Sequence, residues 1–233
     1  RLAARAGDHE GAARHWALCR ERFPDEDAGW TEGARALADA GRSADAEALG
    51  DAAADRFPDR PDLAVAAAEA ALRRGDLADA AKRFEAIRTR HPDTPRAWIA
   101  GAQILDQTWR TDDARALIDQ AYARLGRDFD TAFHWALLGA RALGASEAAA
   151  RWARVRADFP DQPHALTFGA HQMQDANRPD EAEALIQEGL RLFPDHHAVL
   201  EAAADMAARR GDLAEAAARY DVVLAGDPDH IDV

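Results

Sequence analysis

Residues 57–93 read FPDRPDLAVAAAEAALRRGDLADAAKRFEAIRTRHPD, and the fold is decided within them. The stretch opens on Phe57-Pro58-Asp59, closes on His91-Pro92-Asp93, and holds two alanine-rich runs separated by Gly75. Alanine has the best helix propensity, and the β-branched residues that favour strands are scarce. Pro61 opens the first run at the position where a missing N–H costs nothing. Gly75 supplies the backbone freedom to end that run. Asp76-Leu77-Ala78-Asp79 then has the capping-box pattern, in which the first carboxylate accepts from exposed N–H groups and the second reaches back. Pro92 terminates the second run. Helix, turn, helix, turn is the predicted unit, and each helix of three to four turns is too short to be stable alone in water.

Working outward, the same corner recurs at Phe23-Pro24-Asp25, Phe159-Pro160-Asp161, Phe193-Pro194-Asp195 and Asp227-Pro228-Asp229. The prolines at 24, 58, 92, 160, 194 and 228 are separated by 34, 34, 68, 34 and 34 residues, and the missing member at 126 is another helix breaker, Gly126. Three more series keep this period. Ala12, Ala46, Ala80, Ala114, Ala148, Ala182 and Ala216 form one. Gly7, Gly41, Gly75 and Gly211 form the second, with Trp109, Leu143 and Asn177 between them. The third is a small pair, Gly33-Ala34, Ala67-Ala68, Gly101-Ala102, Gly169-Ala170 and Ala203-Ala204, broken only by Trp135-Ala136. Small residues let two helices approach closely. Large ones, at Trp16, Phe84, Ile118, Trp152, Ile186 and Tyr220, fill the space between units, and Gly50 in that row predicts a local packing defect.

A 34-residue helix–turn–helix unit with Trp30 or Trp98 early, a small pair, a mid-unit glycine, an alanine after it, an aromatic and a closing proline resembles the tetratricopeptide repeat. The resemblance covers the whole chain. It implies an all-α fold, an α-solenoid of tandem repeats with a right-handed superhelical turn, as one array. The unit boundaries are 27–60, 61–94, 95–128, 129–162, 163–196 and 197–230, with a partial unit over 1–26 and the start of another at 231–233. The fourth unit departs most: Trp135 sits at the small position, Leu143-Gly144 places the glycine one residue late, and Gly126 precedes it. Arg1-Leu2-Ala3-Ala4-Arg5-Ala6 begins in mid-helix and neither end offers a polar capping helix, so the expectation is a segment of a longer protein.

The resemblance further implies that the first helix of each unit lines a concave groove. Carried onto this chain, one row is Thr31, Val65, Ile99, Phe133, Thr167 and Glu201. A second is Arg35, Glu69, Gln103, Leu137, His171 and Asp205, and a third Asp39, Arg73, Gln107, Arg141, Asp175 and Arg209, with Arg96, His134, His164 and Phe168 beside them. Phe133, His134, His164, Phe168 and His171 gather on the fourth and fifth units and would suit an anchor for an extended peptide, each anchor contributing about 2 kcal/mol. The alternative is that Phe133 and Phe168 pack between neighbouring first helices. The lysine–asparagine clamp of chaperone-binding members is absent, since the matching sites hold Thr31, Arg35, Ala66, Arg96 and Ala100. The asparagine ladder of the sugar-transferase repeats is missing too, its row reading Glu32, Ala66, Ala100, His134, Phe168 and Ala202.

Composition narrows the partners. A net charge of −13 over 233 residues repels phosphate backbones and anionic lipid, so a protein or peptide is expected rather than nucleic acid or membrane. The single Cys19 cannot form an intrachain disulfide, and its place in the row of Ala53, Ile87, Ala121 and Val155 predicts core. With no signal-peptide pattern, a cytoplasmic location is expected. Nine histidines raise the question of metal, but no HxxxH or CxxC spacing exists, and His196-His197 is expected to face solvent in a turn. No metal site, cofactor or catalytic residue is assigned: the chain is read as a binding scaffold, monomeric or weakly self-associating end to end, rather than an enzyme. Its alanine, arginine and aspartate with Phe-Pro-Asp corners also resemble bacterial repeats that precede sulfotransferase or glycosyltransferase domains. In that case the segment would select the acceptor for a catalytic domain outside it.

Overall fold

The computed structural model describes residues 8–226, with the side chains at 140–143, 145 and 225–226 outside the description. Gly7, the corner at 227–229 and the start of a further unit at 231–233 therefore lie outside it. All the described regular structure is helical: α1 (His9–Arg22), α2 (Ala28–Asp39), α3 (Ser43–Arg56), α4 (Pro61–Arg73), α5 (Leu77–Arg90), α6 (Pro95–Gln107), α7 (Thr111–Leu125), α8 (Phe129–Leu143), α9 (Ala145–Asp158), α10 (Pro163–Asp175), α11 (Pro179–Leu192), α12 (His197–Arg209) and α13 (Leu213–Gly226). The contacts divide the chain into two compact units, one ending at Thr108 and the other starting at Trp109, so the division falls between the two helices of the third repeat.

The corners explain why the helices stop where they do. At Phe23, Phe57, His91, Phe159 and Phe193 the N–H closes the last helical turn, on Cys19, Ala53, Ile87, Val155 and Gly189. The backbone then turns out of the helical region, as a residue before proline must. Three residues later a second N–H returns to the carbonyl of each of these residues, closing the corner. The early tryptophans belong to the same device. Trp30 Nε1–H donates to the Pro24 carbonyl at 3.1 Å and Trp98 Nε1–H to the Pro92 carbonyl at 2.8 Å. Without a proline at Gly126, α7 runs one residue further, to Leu125.

The turns inside each unit follow one pattern. At Gly41, Gly75 and Gly211 φ is 76°, 83° and 82°, the left-handed region open to glycine. The N–H after each glycine bonds back five residues, to Leu37, Ala71 and Ala207, which satisfies carbonyls a helix end leaves open. Asn177 takes the same conformation at φ 58°, and so does Trp109 at φ 60°. In the fourth repeat the glycine comes one residue late: α8 continues to Leu143, Gly144 alone turns at φ 79°, and α9 starts at Ala145. Asp76 and Asp212 cap the helices that follow, accepting from the N–H of Asp79 and Glu215, both at 3.0 Å. The reciprocal half of the box is not made. Asp79 bonds Arg83 instead, and Glu215 bonds Arg219, because a guanidinium one turn on offers a charged partner.

Packing follows the small-residue series. In the first unit, Ala68, Ala71, Ala80, Phe84, Ala97 and Ala100 form a core with no exposed surface, and α4 contributes through Leu63, Ala67, Ala68 and Ala71 on one stripe. In the second unit, Trp152 is wholly buried among Ala132, Ala136, Val155 and Ala165, while Ile186 anchors a further cluster with Ala170, Ala203 and Met206. Burying such side chains contributes about 2–3 kcal/mol each. Trp135, at the position that is small elsewhere, is accommodated by lying flat on Tyr122 at 3.9 Å, and its Nε1–H donates to Asp119 at 2.9 Å. Cys19, expected in the core, is half-buried, whereas its counterparts Ala53 and Ile87 are buried.

Candidate functional site

The three rows assigned to the first helices differ in depth. In the first, Ile99 and Thr167 are each 3% exposed and belong to the interior, so Ile99 offers no surface to a partner. Thr31, Val65, Phe133 and Glu201 are half-buried. In the second row Arg35 is exposed, and Gln103, Leu137, His171 and Asp205 are half-buried. The described members of the third row, Asp39, Arg73, Gln107, Asp175 and Arg209, are all exposed. The side chain of Arg141 lies outside the described residues. Each first helix thus presents a face that rises from interior to solvent across three rows.

In the second unit this face carries an aromatic cluster. Phe133 of α8 meets Phe168 of α10 edge to face at 4.8 Å, and both rest on Trp152 of α9, at 5.3 and 6.3 Å. Phe133 also touches Phe129 at 5.8 Å and His134 at 5.5 Å. Four rings around Phe133 make it part of the packing. Phe168 stands at the end of the stack and remains 37% exposed, so the two phenylalanines that look alike in sequence separate into a support and a surface group.

The histidines do not converge. His134 Nδ1–H donates to the Asp130 carbonyl at 2.8 Å within its own helix. His164, exposed beside Phe168, packs edge-on against His196 at 5.6 Å. His171 lies 3.8 Å from the carboxylate of Asp205, whose other contact is the Tyr220 hydroxyl. That hydroxyl donates to the carboxylate, and its pKa is pushed up to about 12 by this bond and by desolvation. His196 and His197, expected to face solvent, are each half-buried. The Nδ1 of His196 has no hydrogen-bond partner, and burial followed by the neighbouring His164 and His197 lowers its pKa. Among the described residues no three His, Cys, Asp or Glu side chains come together as a metal site.

In the first unit two of the remaining candidates are tied by ion pairs. Arg35 pairs with Glu32 on its own helix, and Arg96 reaches across to Glu69 at 2.7 Å, linking α6 to α4. Arg73, which lies in the third row, has no ion-pair partner among the described residues.

Below Trp135 lies a network that the repeat pattern does not announce. Arg151, 6% exposed, reaches Asp119 at 2.9 Å and Glu147 at 3.4 Å. It also donates to the Trp135 carbonyl at 3.0 Å and lies 4.5 Å from the Trp135 ring centre. A Cβ at Gly139 would run into this guanidinium, so any side chain there would have to displace Arg151 from its present position. The charge is invisible at a spacing of one repeat because the neighbouring units hold Leu117 and Leu185 at the matching position.

Models of the tetratricopeptide repeat match residues 37–104 and 71–130, and a second model of the same repeat matches 174–231. No curated protein matches the sequence. Among solved structures, a tetratricopeptide repeat protein from Parabacteroides merdae superposes with a TM-score of 0.68 at 12% identity, over 98% of this chain and 90% of its own. PilW, a type IV pilus biogenesis factor, gives 0.64 at 17% identity, over 87% of this chain and 94% of its own. YrrB, a protein with an unusual peptide-binding site, gives 0.54 at 16% identity, over 82% and 98%. Similarity at these identities establishes the shared fold. No helix among the described residues is long and apolar enough to cross a membrane.

Proposed function

The chain belongs to the tetratricopeptide repeat family, and we propose that it works as a scaffold that holds a protein or peptide partner on the face of its first helices, without catalysing a reaction. Phe168 carries this reading: a large apolar ring, 37% exposed, is fixed in orientation by Phe133 and Trp152 rather than tucked into the core. A rigid exposed aromatic loses little entropy on contact, which is what a binding anchor needs. His164, His171 and Leu137 supply polar and apolar contacts around it. The fold is shared with YrrB, which has a peptide-binding site, and this supports the same class of ligand here.

Phe168→Asp is the test, because position 168 is exposed and the change leaves the support beneath it in place. The chain is immobilised and exposed to extract from its source cell, and bound partners are quantified beside the unchanged protein. A loss of about 2 kcal/mol, or roughly thirtyfold weaker retention, is expected with unaltered helical circular dichroism. Equal retention by both forms would remove Phe168 from the binding face.

A further inference from the structure

We propose that the first unit contains a second, deeper subsite, a cavity opened by Gly50 that receives an aromatic side chain from an acidic peptide. This deepens the scaffold reading and rests on it. The observation begins with the row of bulky residues on the second helices. Phe84, Ile118 and Trp152 have no exposed surface and Ile186 only 1%, so in those repeats the side chain at this position is consumed in packing. Gly50 has no side chain to give. A Cβ built there meets nothing within 4 Å, and the space beside it is a cavity of about 620 Å³ between α2, α3 and α4. That volume lies in the range that accommodates a ligand group rather than a stray water.

The walls state the chemistry of the occupant. Ala34, Ala46, Ala67 and Ala70 line the cavity with methyl groups, which match a flat apolar ring and make no demand for hydrogen bonds. Arg35 and Arg73 stand at its lining from the second and third rows of the first-helix face, both exposed to solvent. The one lining acid, Glu47, is already bonded to Arg74. Arg73 has no ion-pair partner among the described residues. Arg35 is paired with Glu32 and Arg74 with Glu47, so among the described residues Arg73 is the lining guanidinium that brings an unpaired positive charge to the mouth of this apolar hole, in a chain whose net charge is −13. Carboxylates flanking an aromatic residue complement both features at once, whereas a basic peptide would meet the guanidinium groups head on. Because the empty space lies where a bulky side chain of the chain itself would otherwise sit, the partner completes the packing that the repeat leaves out.

The probe is the capped peptide Ac-Glu-Glu-Trp-Glu-Glu-NH₂, titrated into the isotopically labelled full chain and followed by amide chemical shifts. Saturable shifts are expected at Gly50, Ala34 and Ala67. Replacing the peptide's tryptophan by alanine, or its glutamates by lysines, is expected to weaken binding at least tenfold. Gly50→Ile fills the cavity from within and is expected to abolish these shifts while raising the melting temperature. If Gly50→Ile does not fold, Ala34→Leu fills the same space from α2. Arg73→Glu is expected to weaken the acidic peptide tenfold and leave free indole unaffected. Unchanged affinity in Gly50→Ile overturns the proposal, as does the absence of saturable shifts. Equal binding of acidic and basic peptides, or of indole alone with no contribution from flanking charge, overturns the assignment of an acidic peptide. Shifts confined to the surroundings of Phe168 overturn the cavity and leave the scaffold reading standing, and Phe168→Asp serves as the control that separates the two.

Discussion

Removing Asp119 is expected to cost the second unit more than removing the arginine it pairs with. In Asp119→Ala, Arg151 stays in place at 6% exposure but loses its 2.9 Å partner, and Trp135 Nε1–H loses its 2.9 Å acceptor. Glu147 remains, at 3.4 Å and half exposed, so the compensation is partial. Stranding a buried charge costs about 3–5 kcal/mol, and the residual pairing places this case near the lower end, about 3 kcal/mol. Arg151→Met removes the charge itself and keeps most of the volume. Asp119, 39% exposed, then hydrates and still accepts from Trp135. What is lost is the bond to the Trp135 carbonyl and the cation–ring contact, together about 1–2 kcal/mol. The double variant no longer contains a stranded guanidinium and should cost less than the sum of the two, by about 2 kcal/mol. Urea unfolding followed by far-ultraviolet circular dichroism gives all four free energies. Additive costs, or an Arg151→Met that is worse than Asp119→Ala, would refute the view that desolvated charge dominates this network.

Two tryptophans should respond in opposite ways. Trp152→Ala empties a wholly buried site and is expected to destabilise by about 3–5 kcal/mol, whereas Trp109→Gly removes a ring that is 91% exposed and relieves a φ of 60°. Strain relief of about 1–2 kcal/mol there is offset by roughly 0.5–1 kcal/mol from glycine's looser unfolded chain, leaving a neutral to slightly stabilising change in thermal melts. His196 should make stability fall in acid. Its folded pKa lies below the unfolded value near 6.5, so the contribution is complete above that value and lost as the pH drops through it toward the folded pKa. His196→Gln should flatten the slope of urea midpoints between about pH 8 and pH 5, and an unchanged slope would exclude the residue as the source.

The corners and turns were legible in sequence because their causes are local. A proline forbids the helical conformation to its predecessor whatever surrounds it, and Phe23, Phe57 and Phe159 turn as that rule requires. Asn177 was readable as a glycine substitute, since its side chain tolerates the left-handed region; Trp109 was readable only from its register. Depth on the first-helix face was not legible. Ile99 and Phe133 occupy the same repeat position, yet one is interior and the other half-buried, because depth depends on the bulk of the residues packed around each. Phe133 and Phe168 likewise carry the same chemistry, and only Trp152 beneath them decides which is support and which is surface. Gly50 was the exception that spoke plainly, since a missing side chain in a row of large ones announces its own void.

The arginines show why a search at one period can overlook the chemistry of a repeat. Arg83, Arg151 and Arg219 are 68 residues apart, with Leu117 and Leu185 midway between and Leu49 one repeat before the first, so from Leu49 onward every second unit replaces an apolar residue by a charged one. Each finds a local answer. Arg83 binds Asp51 and Asp79, Arg151 binds Asp119 and Glu147, and Arg219 binds Glu215 and the Ala203 carbonyl. A second series with the same spacing is Arg20, Arg88 and Arg156. The first two donate to the carbonyls of Gly29 at 3.0 Å and Ala97 at 3.1 Å, with a tryptophan ring close by in each case. Arg156 has Leu166 at the place of that tryptophan. Its Nη1 is buried without a partner, and burial lowers its pKa. Arg83 and Arg151 thus reach into the repeat before their own, while Arg219 is held within its own, so the charged contacts vary along a backbone that repeats at every unit.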